Sequence, residues 1–215
     1  NGIDYPPVHT KEYDFNDDTM VNNIDDSESN FINTGQPVIS TIQEAQQITL
    51  KPLVLIGKSQ RLLKKLNSPF TMLVWGTQGN GKSSLILTLL DDLSVNGNCL
   101  LILTEEKLKD GRVGERSRRM NIRNVHKIDV IEANTISDVI DALDTNKYKF
   151  VAIDSKDAFN DENYLLDTYS KYNEKGISFI TVSHSTKDGF VNTGDRKYAY
   201  LCNTEIYVDS KGIAS

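Results

Sequence analysis

From Leu50 onward, short wholly apolar runs alternate with segments whose apolar residues recur every three to four positions. Continuous runs such as Leu100-Leu101-Ile102-Leu103 predict strands buried on both faces, and the 3.6-residue pattern between them predicts amphipathic helices. Strands are expected at 71–75, 99–104, 127–131, 150–153, 178–183 and 204–208, and helices at 58–66, 82–94, 114–120, 136–143 and 164–174. This alternation predicts an α/β fold, a mostly parallel β-sheet flanked by helices on both faces. Ligands in such sheets sit beyond the carboxyl ends of the strands, so the residues closing each apolar run are the candidates for function.

The first 37 or so residues are rich in Asp, Asn, Ser and Thr and follow neither period, which predicts an irregular, weakly ordered segment. A short helix is expected over 40–48, with Ser40 or Thr41 as its N-cap. The chain therefore divides into an acidic N-terminal segment, 1–47, and a folded core, 48–215. Net charge follows the same division. Residues 1–47 hold nine acids against Lys11 alone, a charge of −8, whereas 48–215 hold 23 Lys and Arg against 21 Asp and Glu, a charge of +2. A core so close to neutral can still carry a local basic patch for nucleic acid, whatever the pI of about 5.1 suggests.

No apolar run approaches the roughly 18 residues of a membrane helix, so no membrane association is expected. Residues 1–10 show neither a basic nor an apolar signal region, which favours the cytoplasm. Cys99 and Cys202 are the two cysteines, each in an apolar stretch and neither in a CxxC pair, so both read as buried thiols.

Gly76-Thr77-Gln78-Gly79-Asn80-Gly81-Lys82-Ser83 fits G-x-x-x-x-G-K-[ST] in full, and it lies between a predicted strand and a predicted helix, as the phosphate-binding loop requires. Backbone amides from about Gln78 to Ser83, with Ser84 beside them, are expected to surround an anion at a helix N-terminus. Lys82 would reach the β and γ phosphates of a nucleoside triphosphate, expected to be ATP, and the Ser83 hydroxyl would ligate Mg²⁺. Such a site needs an acid at a neighbouring strand end, and Phe150-Val151-Ala152-Ile153-Asp154 supplies one, making Asp154 the second metal-site candidate. Glu105 and Glu106 follow another buried strand. Glu105 is the expected general base for an attacking water, with Glu106 as its alternative. A fourth strand delivers His184, a candidate sensor of the terminal phosphate.

Taken in order, these segments resemble the RecA-like ATPases over about residues 56–208, most closely the RadA/Sms DNA-repair family with its KaiC-like relatives. Residues 76–83 resemble the Walker A motif, Leu101 to Glu106 the strand that ends in the catalytic glutamate, and Val151 to Ser155 the Walker B motif. His184-Ser185-Thr186-Lys187-Asp188-Gly189 is similar to the His-x-Thr-Lys-Glu-Gly signature of that family. The resemblance implies a RecA-like P-loop NTPase core that hydrolyses ATP with Mg²⁺, works as a homo-oligomeric ring or filament, and acts on DNA in recombination, repair or replication. The chain departs from RadA proteins in lacking the four-cysteine zinc module and the Lys-Asn-Arg-Phe-Gly motif after the last core strand. The alternative is a KaiC-like or mobile-element ATPase whose nucleotide state controls assembly with protein partners, the acidic segment being the docking element. A small-molecule P-loop kinase is a third reading, although no arginine-rich lid is recognisable.

Eight basic residues crowd the stretch from Lys107 to Lys127: Lys107, Lys109, Arg112, Arg116, Arg118, Arg119, Arg123 and Lys127. They read either as a DNA-phosphate patch or as a solvated helix face or subunit interface. The resemblance implies a basic residue reaching the site from an adjacent subunit, for which Lys187, Arg196 and Lys197 are the candidates.

Overall fold

The structure, a computed structural model, describes residues 41–47, 50–185, 198, 201–209, 211–212 and 214. Contacts divide the chain into two units, Asn1–Ala45 and Gln46–Ser215. Where the first unit is described, the Thr41 hydroxyl accepts from the Glu44 N–H and the Glu44 carboxylate accepts from the Thr41 N–H. This reciprocal cap starts a short helix, α1 (Ile42–Gln47).

In the second unit the elements run β1 (Lys51–Pro52), α2 (Gly57–Leu63), β2 (Asn67–Ser68), β3 (Thr71–Gly76), α3 (Lys82–Leu93), β4 (Cys99–Leu103), α4 (Arg112–Arg119), β5 (Ile128–Glu132), α5 (Ile136–Leu143), β6 (Phe150–Asp154), α6 (Glu162–Glu174), β7 (Ser178–His184) and β8 (Thr204–Tyr207). Every strand and helix expected after Leu50 is present, with ends displaced by two residues or fewer except at α2, whose helix stops three residues early at Leu63. Local capping explains two of the displaced starts. The Asp161 carboxylate accepts from the Tyr164 N–H at 2.9 Å and so begins α6 at Glu162. Gly111, in a left-handed conformation, begins α4 at Arg112. The antiparallel ribbon of β1 and β2 was not expected, because two-residue strands are too short to show a period.

The six longer strands form one sheet in the order β5-β4-β6-β7-β3-β8, and every pairing in it is parallel. Alternation along each strand sorts the core into two layers. Met72 and Val74 of β3, Leu101 and Leu103 of β4, and Ala152 of β6 pack with Ile86, Leu89 and Leu90 of α3. Leu73, Leu100, Ile102, Val151 and Ile153 face the other way, onto Val139 and Leu143 of α5 and Leu165, Tyr169 and Tyr172 of α6. Helices therefore cover both faces, which is why the strand sequences are apolar throughout. Cys99 is buried and Cys202 half-buried, both are free, and burial pushes each thiol up to about 12. Among the described residues, no helix is long and apolar enough to cross a membrane.

Candidate functional site

Because the sheet is parallel, its strands release their carboxyl ends along one edge. Gly76 of β3 is in register with His184 of β7, and Leu103 of β4 with Asp154 of β6. β7 lies between β3 and β6, so His184 stands between the loop after Gly76 and the Asp154 carboxylate. All the strand-end candidates thus meet at one edge. A cleft of ≈ 530 Å³ opens there, lined by Gln78, Gly79, Gly81, Lys82, Ser83 and Ser84 from the loop and by Glu105, Glu106, Asp154 and His184 from the other strand ends.

The loop is shaped by its glycines. A Cβ on Gly76 would run into the Val208 carbonyl just past β8, so only glycine fits where the loop leaves the sheet. Gly81 has φ 92° and begins α3 from a left-handed conformation, leaving the first amides of that helix without side-chain caps. The Asn80 side-chain amide holds the turn by donating to Thr77 Oγ1 at 2.6 Å and to the Val208 carbonyl at 3.3 Å. Lys82 is only 4% exposed, and its Nζ donates to the carbonyls of Gly76 at 2.7 Å and Thr77 at 2.9 Å. Burial lowers the affinity of this amine for its proton, and the nearby Asp154, Asp157 and Glu105 carboxylates work against that shift.

Asp154 ends β6 and receives a hydrogen bond from the Ser83 hydroxyl, which joins the loop to the acid strand. Burial raises its pKa from the ordinary carboxyl value. The Ser83 bond and Arg116 oppose this, while Glu105 and Glu106 add to it. Among the described residues, no group of three or more His, Cys, Asp or Glu side chains is arranged to hold a metal. Ser83 and Asp154 offer two oxygens, a set that suits a hydrated Mg²⁺ arriving with phosphates, because this ion keeps several waters and needs few protein ligands.

The two glutamates diverge. Glu106 is tied to Arg116 of α4, carboxylate to guanidinium at 3.1 Å, with both side chains mostly buried. Glu105 stays in the cleft and is half exposed. Its Oε1 accepts from the Ser155 hydroxyl at 2.6 Å and lies 3.5 Å from His184 Nε2. Ser155 is itself held, since its N–H donates to Thr104 Oγ1 at 2.8 Å and its carbonyl accepts from that hydroxyl at 2.7 Å. The His184 backbone N–H donates to Asp157 Oδ2 at 2.8 Å, while its buried Nδ1 has no hydrogen-bond partner among the described residues.

Sequence reasoning missed the cleft's cationic wall. Arg112, Arg116 and Arg119 all line the cleft, one helical stripe at i, i+4 and i+7 on α4. That spacing is legible in the sequence, but it does not say whether the face it marks meets DNA, solvent, a subunit or this cleft. The other members of the basic stretch are scattered. Arg123 bridges Asp91 and Asp92 on α3, Lys107 pairs with Glu132 at 3.3 Å, Lys127 donates to the Ser94 carbonyl, and Lys109 and Arg118 are exposed. Lys187, Arg196, Lys197 and the signature residues after Ser185 lie outside the described residues.

A second cavity of ≈ 540 Å³ shares Gly81 and Ser84 with the cleft and extends past Asn80, Leu85 and Thr88. Leu62, Met120, Val208 and Ala214 form its apolar walls, with Lys58 and Arg61 at its margin. Comparison with protein-family models and with curated proteins finds no match to this chain.

Proposed function

We propose that this chain is a Mg²⁺-dependent ATPase of the RecA/RadA type that acts as a homo-oligomer on DNA. The observation that carries this reading is the convergence, on one cleft, of the Lys82 loop, the Ser83–Asp154 pair and the Glu105 carboxylate held by Ser155. The amides at the start of α3 would cradle the β phosphate, and Lys82 would exchange its loop carbonyls for phosphate oxygens. Ser83 and Asp154 would hold Mg²⁺, which neutralises phosphate charge. Both contacts to Glu105 fall on Oε1, leaving Oε2 to take a proton from the attacking water. The second cavity suits the nucleoside, since apolar walls with a few polar groups favour a flat base.

A second reading, an ATPase whose nucleotide state controls assembly with protein partners, is favoured by one observation. The most basic stretch of the chain turns Arg112, Arg116 and Arg119 to the cleft and engages Arg123, Lys107 and Lys127 with acceptors of its own chain, so that of its eight cations the exposed Lys109 and Arg118 are the ones left to DNA. ATP turnover measured with and without single-stranded and branched DNA over a salt series separates the two. Stimulation that weakens as salt rises supports action on DNA. Turnover indifferent to DNA at low salt supports the partner-assembly reading, and absence of turnover refutes both.

A further inference from the structure

An arginine stripe facing a phosphate cleft need not serve a neighbouring subunit. We propose that Arg112 and Arg119 bind the terminal phosphate of the nucleotide from within the same chain, so that the cationic wall of the site is built in cis. This rests on the nucleotide reading given above and names the groups that would recognise the third phosphate.

Three observations carry it. Arg116, the middle member of the stripe, is engaged by Glu106 at 3.1 Å, whereas Arg112 and Arg119 are exposed and form no ion pair with a described residue. The cleft also holds Glu105 and Asp154, whose charges would repel a polyphosphate, and Lys82 with one Mg²⁺ does not offset them together with the ligand's own charge. The helix that carries the arginines is also anchored in place. Val113 is buried against the core, and the Glu132 carboxylate accepts from the Leu108 N–H at 2.7 Å, fixing the approach to α4. Guanidinium groups on an anchored helix suit phosphate oxygens, which they bind in a bidentate fork.

The test compares the full chain with Arg112→Ala, Arg119→Ala, the double variant and the Arg→Lys pair. Binding of ATP, ADP and inorganic tripolyphosphate is measured by calorimetry, alongside ATP turnover. Each alanine is expected to weaken ATP and tripolyphosphate binding roughly tenfold and ADP binding far less, with lysine restoring part of the loss. Mixing the double variant with Lys82→Ala is expected to restore no turnover. Recovery on mixing would show that the arginines act in trans, and equal losses for ATP and ADP would show that they do not read the third phosphate. Either result overturns the inference while the ATPase reading stands. Failure of the unaltered chain to bind ATP overturns both.

Discussion

Ser155 Oγ donates to Glu105 Oε1 at 2.6 Å across a sequence separation of 50 residues. The bond makes the end of β6 a support for the end of β4, and it restrains the rotamer of the carboxylate proposed as the general base. Glu105→Gln should leave ATP affinity intact and lower kcat by about 10²-fold or more. Ser155→Ala should lower kcat by roughly tenfold with KM unchanged, since a base is effective only when held in position. Glu106→Gln should keep most turnover, because Glu106 serves Arg116. Single-turnover kinetics on the three variants check the ranking, and wild-type turnover in Glu105→Gln would move the base elsewhere.

Asp154 illustrates a site residue that opposes folding. Its carboxyl pKa is raised by burial, so the folded chain holds the proton more tightly than the unfolded chain does, and ionisation costs stability. That cost is absent below the unfolded-state value of about 3.9 and grows as pH rises through the raised folded value. Asp154→Asn should therefore raise Tm at neutral pH, leave it nearly unchanged at about pH 3, and abolish Mg²⁺-dependent nucleotide binding. Thermal melts across pH check this, and a lower Tm at neutral pH would mean that the Ser83 hydrogen bond outweighs burial.

Arg123 is expected to matter for folding rather than for DNA. Its guanidinium meets Asp91 and Asp92, whose side chains are 7% and 3% exposed, and Asp92 also accepts from the N–H and hydroxyl of Ser59. Removing the cation leaves two buried carboxylates undercompensated, although their remaining hydrogen bonds limit the damage. Arg123→Ala should cost about 2 kcal/mol, less than a fully buried pair would. The Tm should fall roughly 4–8 °C. Unchanged melting would show that the pair contributes nothing.

Lys82→Ala should separate binding from folding. The ammonium donates to the Gly76 and Thr77 carbonyls, but the Gly76 carbonyl also accepts from the Ser185 N–H at 3.2 Å, so the loop keeps part of its bonding. Loss of the desolvated charge offsets the two lost bonds, and Tm should shift little. ATP affinity should fall about 10²-fold or more, as for any buried cation facing phosphate. Calorimetry alongside circular dichroism checks both parts.

The two-layer α/β core was legible because its causes are local. Runs such as Leu100 to Leu103 have no polar face, and the periodic positions of α5 and α6 leave one apolar stripe each. The loop from Gly76 to Ser83 was legible for the same reason, since glycines, lysine and hydroxyl act within one turn. The β1 and β2 ribbon escaped because two residues carry no period. The arginines of α4 escaped for another reason: their spacing marks one helical face but does not say what that face meets.

The sequence by itself determined where strands and helices form, which faces are apolar, and which residues stand at the strand ends, because dihedral preference and hydrophobic period act over a few neighbours. Only the tertiary structure decided that β7 separates Gly76 from Asp154, that Ser155 rather than a residue near Glu105 in the chain holds it, and that Arg116 takes Glu106 while Arg112 and Arg119 face the cleft. Those pairings depend on how elements ten to more than a hundred residues apart pack across one sheet, and no local pattern encodes which cation meets which anion.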